Sequence, residues 1–149
     1  MKTLTLKNAH VSGLASWLNQ LQLHGQQSRV RSRFVKNLVD RYQENEKFRK
    51  EMLDKYAKKD KKGEIVLSED KKTVVLKDQE KFVKELQDLY LENYVTQIDG
   101  ESYNVLKDII LKTTYRFGPS ENDSPELRME KIRQANDYEE WCEVLEKCE

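Results

Sequence analysis

Three arginines occupy alternate positions in Gly25-Gln26-Gln27-Ser28-Arg29-Val30-Arg31-Ser32-Arg33-Phe34-Val35-Lys36, and a lysine closes the run. Guanidinium groups bind carboxylate and phosphate oxygens through paired, charge-assisted hydrogen bonds, so the chemistry on offer is anion recognition. At about 100° per residue on a helix, Arg29, Arg33 and Lys36 share one side while Arg31 points elsewhere. Cations at a helix start oppose the macrodipole by about 0.3–1 kcal/mol each, so something should offset them. One reading is a site for nucleic-acid phosphate, with Ser28, Ser32, Gln26 and Gln27 adding neutral hydrogen bonds. The other pairs the arginines with acidic residues, inside the same fold or across an oligomer. Zero formal net charge favours the second, because phosphate-binding domains carry a net basic balance.

That zero hides a split. Residues 1–62 hold 15 Lys/Arg against 6 Asp/Glu and residues 63–149 hold 12 against 21, so the two parts carry +9 and −9. Glu126, Glu130, Glu139, Glu140 and Glu143 form the candidate acidic contact face near the C-terminus. The lysines of Lys58-Lys59-Asp60-Lys61-Lys62 read as a solvated helix end.

Other chemistry is thin. Glu69-Asp70-Lys71, with Asp54 or Asp60 upstream, can be aligned with part of a metal-dependent nuclease pattern but falls in an expected exposed turn. Cys142 and Cys148 are six residues apart, nearly two helical turns, which opposes a disulfide within one helix. With the remote His10 and His24 they make no familiar metal spacing. No Ser-centred elbow, Cys-His pair or Gly-rich phosphate loop is present, so the expectation is no enzyme activity, no metal and no cofactor. Trp17, Tyr42, Phe48, Tyr56, Tyr90, Tyr94, Tyr115 and Trp141 fall largely on apolar stripes, as core packing or a subunit contact requires.

The elements that must carry these groups alternate irregularly. Leu4 and Leu6 alternate with Thr3 and Thr5 as a short strand, and Asn8 offers a cap for a helix carrying Val11, Leu14, Trp17, Leu18 and Leu21. A long helical pattern follows from Ser28 to about Lys59, its stripe interrupted at Gln43 to Lys47. At some 45 Å it would exceed the roughly 38 Å breadth of a compact domain this size, so it should bend near Asn45 or project. Glu64–Leu67 and Thr73–Leu76 suggest a hairpin, and Asp78 a cap for a third helix. Tyr94–Ile98 suggests a strand, Asp99-Gly100 a turn and residues 102–116 a helix stopped by Gly118-Pro119. Ser124-Pro125 should open a last helical stretch, with Asn136-Asp137 recapping it.

The expected class is α+β: mostly helical, with one long helix in the N-terminal half, a β-hairpin and a small sheet. The 149 residues fit one domain, with 119–149 as an acidic helical extension. A 36% charged content implies a heavily solvated surface, and the absence of an apolar run near 20 residues or a leader-like start implies a cytoplasmic protein.

The segment Leu23-x-Gly25-x-x-Ser28-Arg29-x-Arg31-x-Arg33-Phe34-x-Lys36, with Tyr56-Ala57-x-Lys59-Asp60-x-x-Gly63 and Asp78-x-x-Lys81-Phe82-x-x-Glu85-Leu86, resembles uncharacterised small proteins of phages and prophages of Gram-positive bacteria. Such proteins are often encoded in the late region near tail and lysis genes. The resemblance spans most of the chain, departs from Gly118 to Glu149, and brings context without assigned chemistry. It implies a phage accessory protein, an assembly factor or small structural component, in the host cytoplasm or the virion. A protein partner or self-association is expected. The alternatives are a nucleic-acid binder using Arg29 to Lys36 and an inhibitor of a host defence protein whose acidic end mimics phosphate.

Overall fold

A computed structural model describes residues 1–148. Among them run β1 (Lys2–Lys7), α1 (Asn8–Gln20), α2 (Gly25–Tyr56), α3 (Gln79–Leu91), β2 (Asn93–Ile98), α4 (Gly100–Leu111) and α5 (Pro125–Glu146), an α+β fold. β1 and β2 pair antiparallel from Lys2↔Ile98 to Lys7↔Asn93. The alternation of β1 turns Leu4 and Leu6 into the core, joined by Tyr94 and Ile98 from β2.

β1 runs straight into α1, and this changes the role of Asn8. The N-cap position falls on Lys7, which makes no side-chain capping bond, and Asn8 is the first helical residue, 4% exposed. Its Nδ2 donates to the Leu89 carbonyl at 2.8 Å and its Oδ1 accepts from Arg41 Nε at 2.9 Å. The residue expected as a cap therefore ties α1 to the last turn of α3 and to the middle of α2. Val11, Leu14, Ala15, Trp17 and Leu18, three and four apart, bury the inner face of α1.

α2 is unbroken over 32 residues, about 48 Å. The expected stripe interruption at Gln43 to Lys47 does not break it, and Asn45 is buried there. Val30, Phe34, Val35 and Leu38 join the main core. The far end is flanked instead by α3, where Tyr56 meets Phe82 edge-on at 6.4 Å and donates to Glu85 Oε1 at 2.6 Å. The hairpin expected over 64–76 is reduced to isolated bridges, Leu67↔Val74 with Lys59↔Ile65 and Ala57↔Leu76, which weave three short stretches together at the helix end. At the turns Gly63 and Lys71 take positive φ, and the Asp60 and Asp70 side chains accept backbone N–H groups.

Asp78 caps α3 by accepting from the Lys81 N–H at 3.1 Å. Asp99, expected in a turn, caps α4 by accepting from the Ser102 N–H at 2.8 Å. α4 ends at Leu111 rather than near residue 116, because Tyr115 and Phe117, two apart in non-helical chain, both reach the Trp17 ring, at 6.1 and 5.7 Å. α5 starts at the expected Ser124-Pro125 cap. It passes unbroken through Asn136-Asp137; Asp137 faces His10 at 3.7 Å instead of recapping. Trp141 and Leu145 are buried, with the Trp141 and Trp17 rings 5.4 Å apart. The acidic stretch thus supplies two anchors to the core that α1, α2 and α4 also build.

Candidate contact surfaces

Arg29, Arg33 and Lys36 all stand exposed on α2, and among the described residues none of them has a hydrogen-bond or ion-pair partner. Arg31 points elsewhere, as its helical position requires. Its Nη1 donates to the carbonyls of Leu18, at 3.2 Å, and Leu21, and its Nη2 to Ser28 Oγ at 3.4 Å. A cation on the C-terminal carbonyls of α1 is favourable, which offsets its cost at the start of α2. Two of the four neutral residues named with the arginines already donate elsewhere: Ser32 Oγ to the Ser28 carbonyl and Gln26 Nε2 to Glu101 Oε1.

Glu126, Glu130, Glu139, Glu140 and Glu143 are all exposed on α5. Glu130 pairs with Arg133 at 2.8 Å and Glu143 with Lys147 at 3.3 Å, both within the helix. Arg41–Glu44, Arg49–Glu46 and Lys112–Asp108 are equally local. Lys55–Glu85, at 3.1 Å, and His10–Asp137 do cross the charge boundary. Among the described residues no pair joins Arg29, Arg33 or Lys36 to the acids of α5. α1 packs against both helices, while α2 otherwise meets α3 and α4, and α5 meets α4 and β1. The two charged faces are left open to solvent.

Beside the acidic face, Leu127, Met129 and Ile132 are exposed apolar side chains. Leu127 and Ile132 are five positions apart on the helix, so they cannot both face the core. Arg41 carries no sequence signal at all: it bonds Asn8, pairs with Glu44, and lies 5.4 Å from the Tyr94 ring.

The remaining candidates are ordinary in their surroundings. Glu69, Asp70 and Lys71 lie exposed in a turn, where Ser68 Oγ and the Lys72 N–H hold the Asp70 carboxyl below its usual range. Cys142 and Cys148 are free and half-buried; burial pushes the Cys142 thiol up, and Cys148 Sγ lies 3.1 Å from the Thr3 carbonyl. Tyr138 donates to the Ile110 carbonyl at 2.6 Å, and burial pushes its phenol up to about 12. His24, at the N-cap position of α2, makes no side-chain capping bond. Among the described residues no three His, Cys, Asp or Glu stand together as metal ligands, and no helix is long and apolar enough to cross a membrane. A groove of about 310 Å³ between α1 and α5 is lined by Ser12, Ser16, Gln134, Asp137 and Trp141 among others.

No curated protein and no solved structure matches the chain. A family model does match, over residues 2–111, from β1 to the end of α4 and including the basic opening of α2. With most of its length matched, the chain belongs to the family described as Protein of unknown function (DUF1617).

Proposed function

We propose that this chain is a non-enzymatic accessory protein of a phage or prophage, acting in the host cytoplasm through protein contacts as an assembly factor or small structural component. The observation that carries this reading is the trio Arg29, Arg33 and Lys36, exposed on one side of α2 with no internal partner among the described residues. Rim charges of this kind steer association and set its salt dependence. The exposed Leu127, Met129 and Ile132 beside the acids of α5 add the apolar contact that protein interfaces use and nucleic-acid grooves do not require. Capture from host lysate tests it. Proteins retained at low salt, released at high salt and lost with Arg29→Ala plus Arg33→Ala are expected. No retained protein, or retention indifferent to that double substitution, contradicts it.

The same unpartnered cations support a second reading, phosphate binding. Anisotropy titration of labelled duplex DNA at low salt decides between them: binding that the Arg29→Ala plus Arg33→Ala variant loses favours nucleic acid. For the third, a host-protein inhibitor, the exposed and unpaired Glu126, Glu139 and Glu140 of α5 are the support. Their replacement by Gln would then abolish capture while Arg29→Ala leaves it intact.

A further inference from the structure

The two-stranded sheet leaves one edge open, and the pairing pattern shows which backbone groups line it. The Asn8 N–H donates to the Glu92 carbonyl at 2.9 Å, continuing the β1–β2 ladder by one pair. In an antiparallel ladder bonded and non-bonded pairs alternate, so Leu6↔Tyr94, Leu4↔Thr96 and Lys2↔Ile98 exchange hydrogen bonds. Thr3, Thr5 and Lys7 then point their backbone groups away from β2, and Asn93, Val95 and Gln97 point theirs away from β1. The Cys148 Sγ at 3.1 Å from the Thr3 carbonyl agrees with this phase and shows the chain just past α5, a helix that packs on β1, covering the β1 edge there. On β2 the outward groups of Asn93, Val95 and Gln97 have no backbone partner among the described residues.

Exposed edges are normally guarded by lysines, proline or bulges. β2, Asn-Tyr-Val-Thr-Gln-Ile, has no charge and no proline in a chain that is 36% charged. Val95 on its solvent face is 57% exposed.

We propose that this edge receives β2 of a second copy, giving a four-stranded antiparallel sheet in the order β1-β2-β2-β1. The strand is self-complementary about a two-fold axis through Val95. Val95 faces Val95 of the second copy, and Asn93 faces Gln97 of the second copy, an apolar pair flanked by two amide pairs. Charge agrees with the same register. Arg33 lines a cleft with Gln97 and Ile98, while Glu92 directly precedes Asn93, so antiparallel pairing sets Arg33 of each copy toward the Glu92 end of the other. The pairing goes beyond the partner contact proposed above, because it uses the backbone of β2.

Sedimentation velocity over a range of concentrations, with Val95→Pro as the variant, tests it. The Val95 N–H points outward, so proline removes an edge donor without taking a bond from β1. The wild-type chain is expected to dimerise with rising concentration, Val95→Thr to do the same, and Val95→Pro to stay monomeric with unchanged far-ultraviolet circular dichroism. If Val95→Pro fails to fold, hydrogen exchange on the native chain decides: the Val95 and Gln97 amides should become protected as concentration rises. A monomer throughout, a dimer undiminished by Val95→Pro, or exchange at these amides indifferent to concentration overturns the pairing. Host-protein capture by monomeric Val95→Pro would leave the partner reading standing separately.

Discussion

Asn8→Asp separates a helix cap from a buried tie. Aspartate is nearly isosteric with asparagine, so the change leaves no cavity. As an N-cap it would be neutral or gain a few tenths of a kcal/mol from its charge at the helix start. As a tie it fails on one side, because a carboxylate has no N–H to give the Leu89 carbonyl, now reached by Asn8 Nδ2 at 2.8 Å. Orphaning a buried acceptor costs about 1–3 kcal/mol. On the other side the carboxylate gains a charged partner in Arg41, whose side chain is 20% exposed and already paired with Glu44, a gain of about 0–1 kcal/mol. The net expectation is a loss of about 1.5 kcal/mol, or about 3–6 °C in Tm for a domain of this size. Urea unfolding followed by Trp17 and Trp141 fluorescence, with calorimetry alongside, measures it. A variant within about 0.5 kcal/mol of the parent, the usual range of neutral surface changes, would refute the tie and restore the cap.

Arg31→Ala should destabilise by about 1.5–3 kcal/mol, the range for hydrogen bonds to a charged group, because it strips the carbonyl contacts at the end of α1; Arg29→Ala and Arg33→Ala should stay within about 0.5 kcal/mol in the same urea titration. A chain cut after Gly118 loses Trp141 and Leu145 from the core and should give poorly dispersed amide resonances, although the family match ends at residue 111. Tyr56 Oη and Lys55 Nζ hold the Glu85 carboxyl below its usual range. That depressed pKa gives stability present above the unfolded carboxylate value and lost as pH falls through the folded one. The stability gap between the parent and Tyr56→Phe should therefore close in acid, and a gap constant with pH would contradict the contact.

Local signals were legible where one residue decides the outcome. Asp78 and Ser124-Pro125 start helices because a side-chain oxygen or a fixed φ acts within three residues. The phase of Arg31 against Arg29 and Arg33 also follows from helix geometry alone. What could not be read depends on distant partners. Asn8 looks like a cap until Leu89 and Arg41, 81 and 33 positions away, claim its amide. Asn136-Asp137 looks like a recap until Trp141 and Tyr138 pack their rings against Trp17 and hold the helix through it. The open edge of β2 has no local signature, because β1 and β2 meet across some ninety residues and only their ladder phase shows which groups face outward.

The central claim is that the basic opening of α2 receives a protein, and amide chemical-shift mapping on the labelled chain tests it most directly. Titrated with a protein captured from host lysate, the largest shifts should fall at Arg29, Arg33 and Lys36 and diminish with salt, with a weaker response to duplex DNA. Shifts that leave those three residues unmoved, or that DNA alone produces, would contradict it.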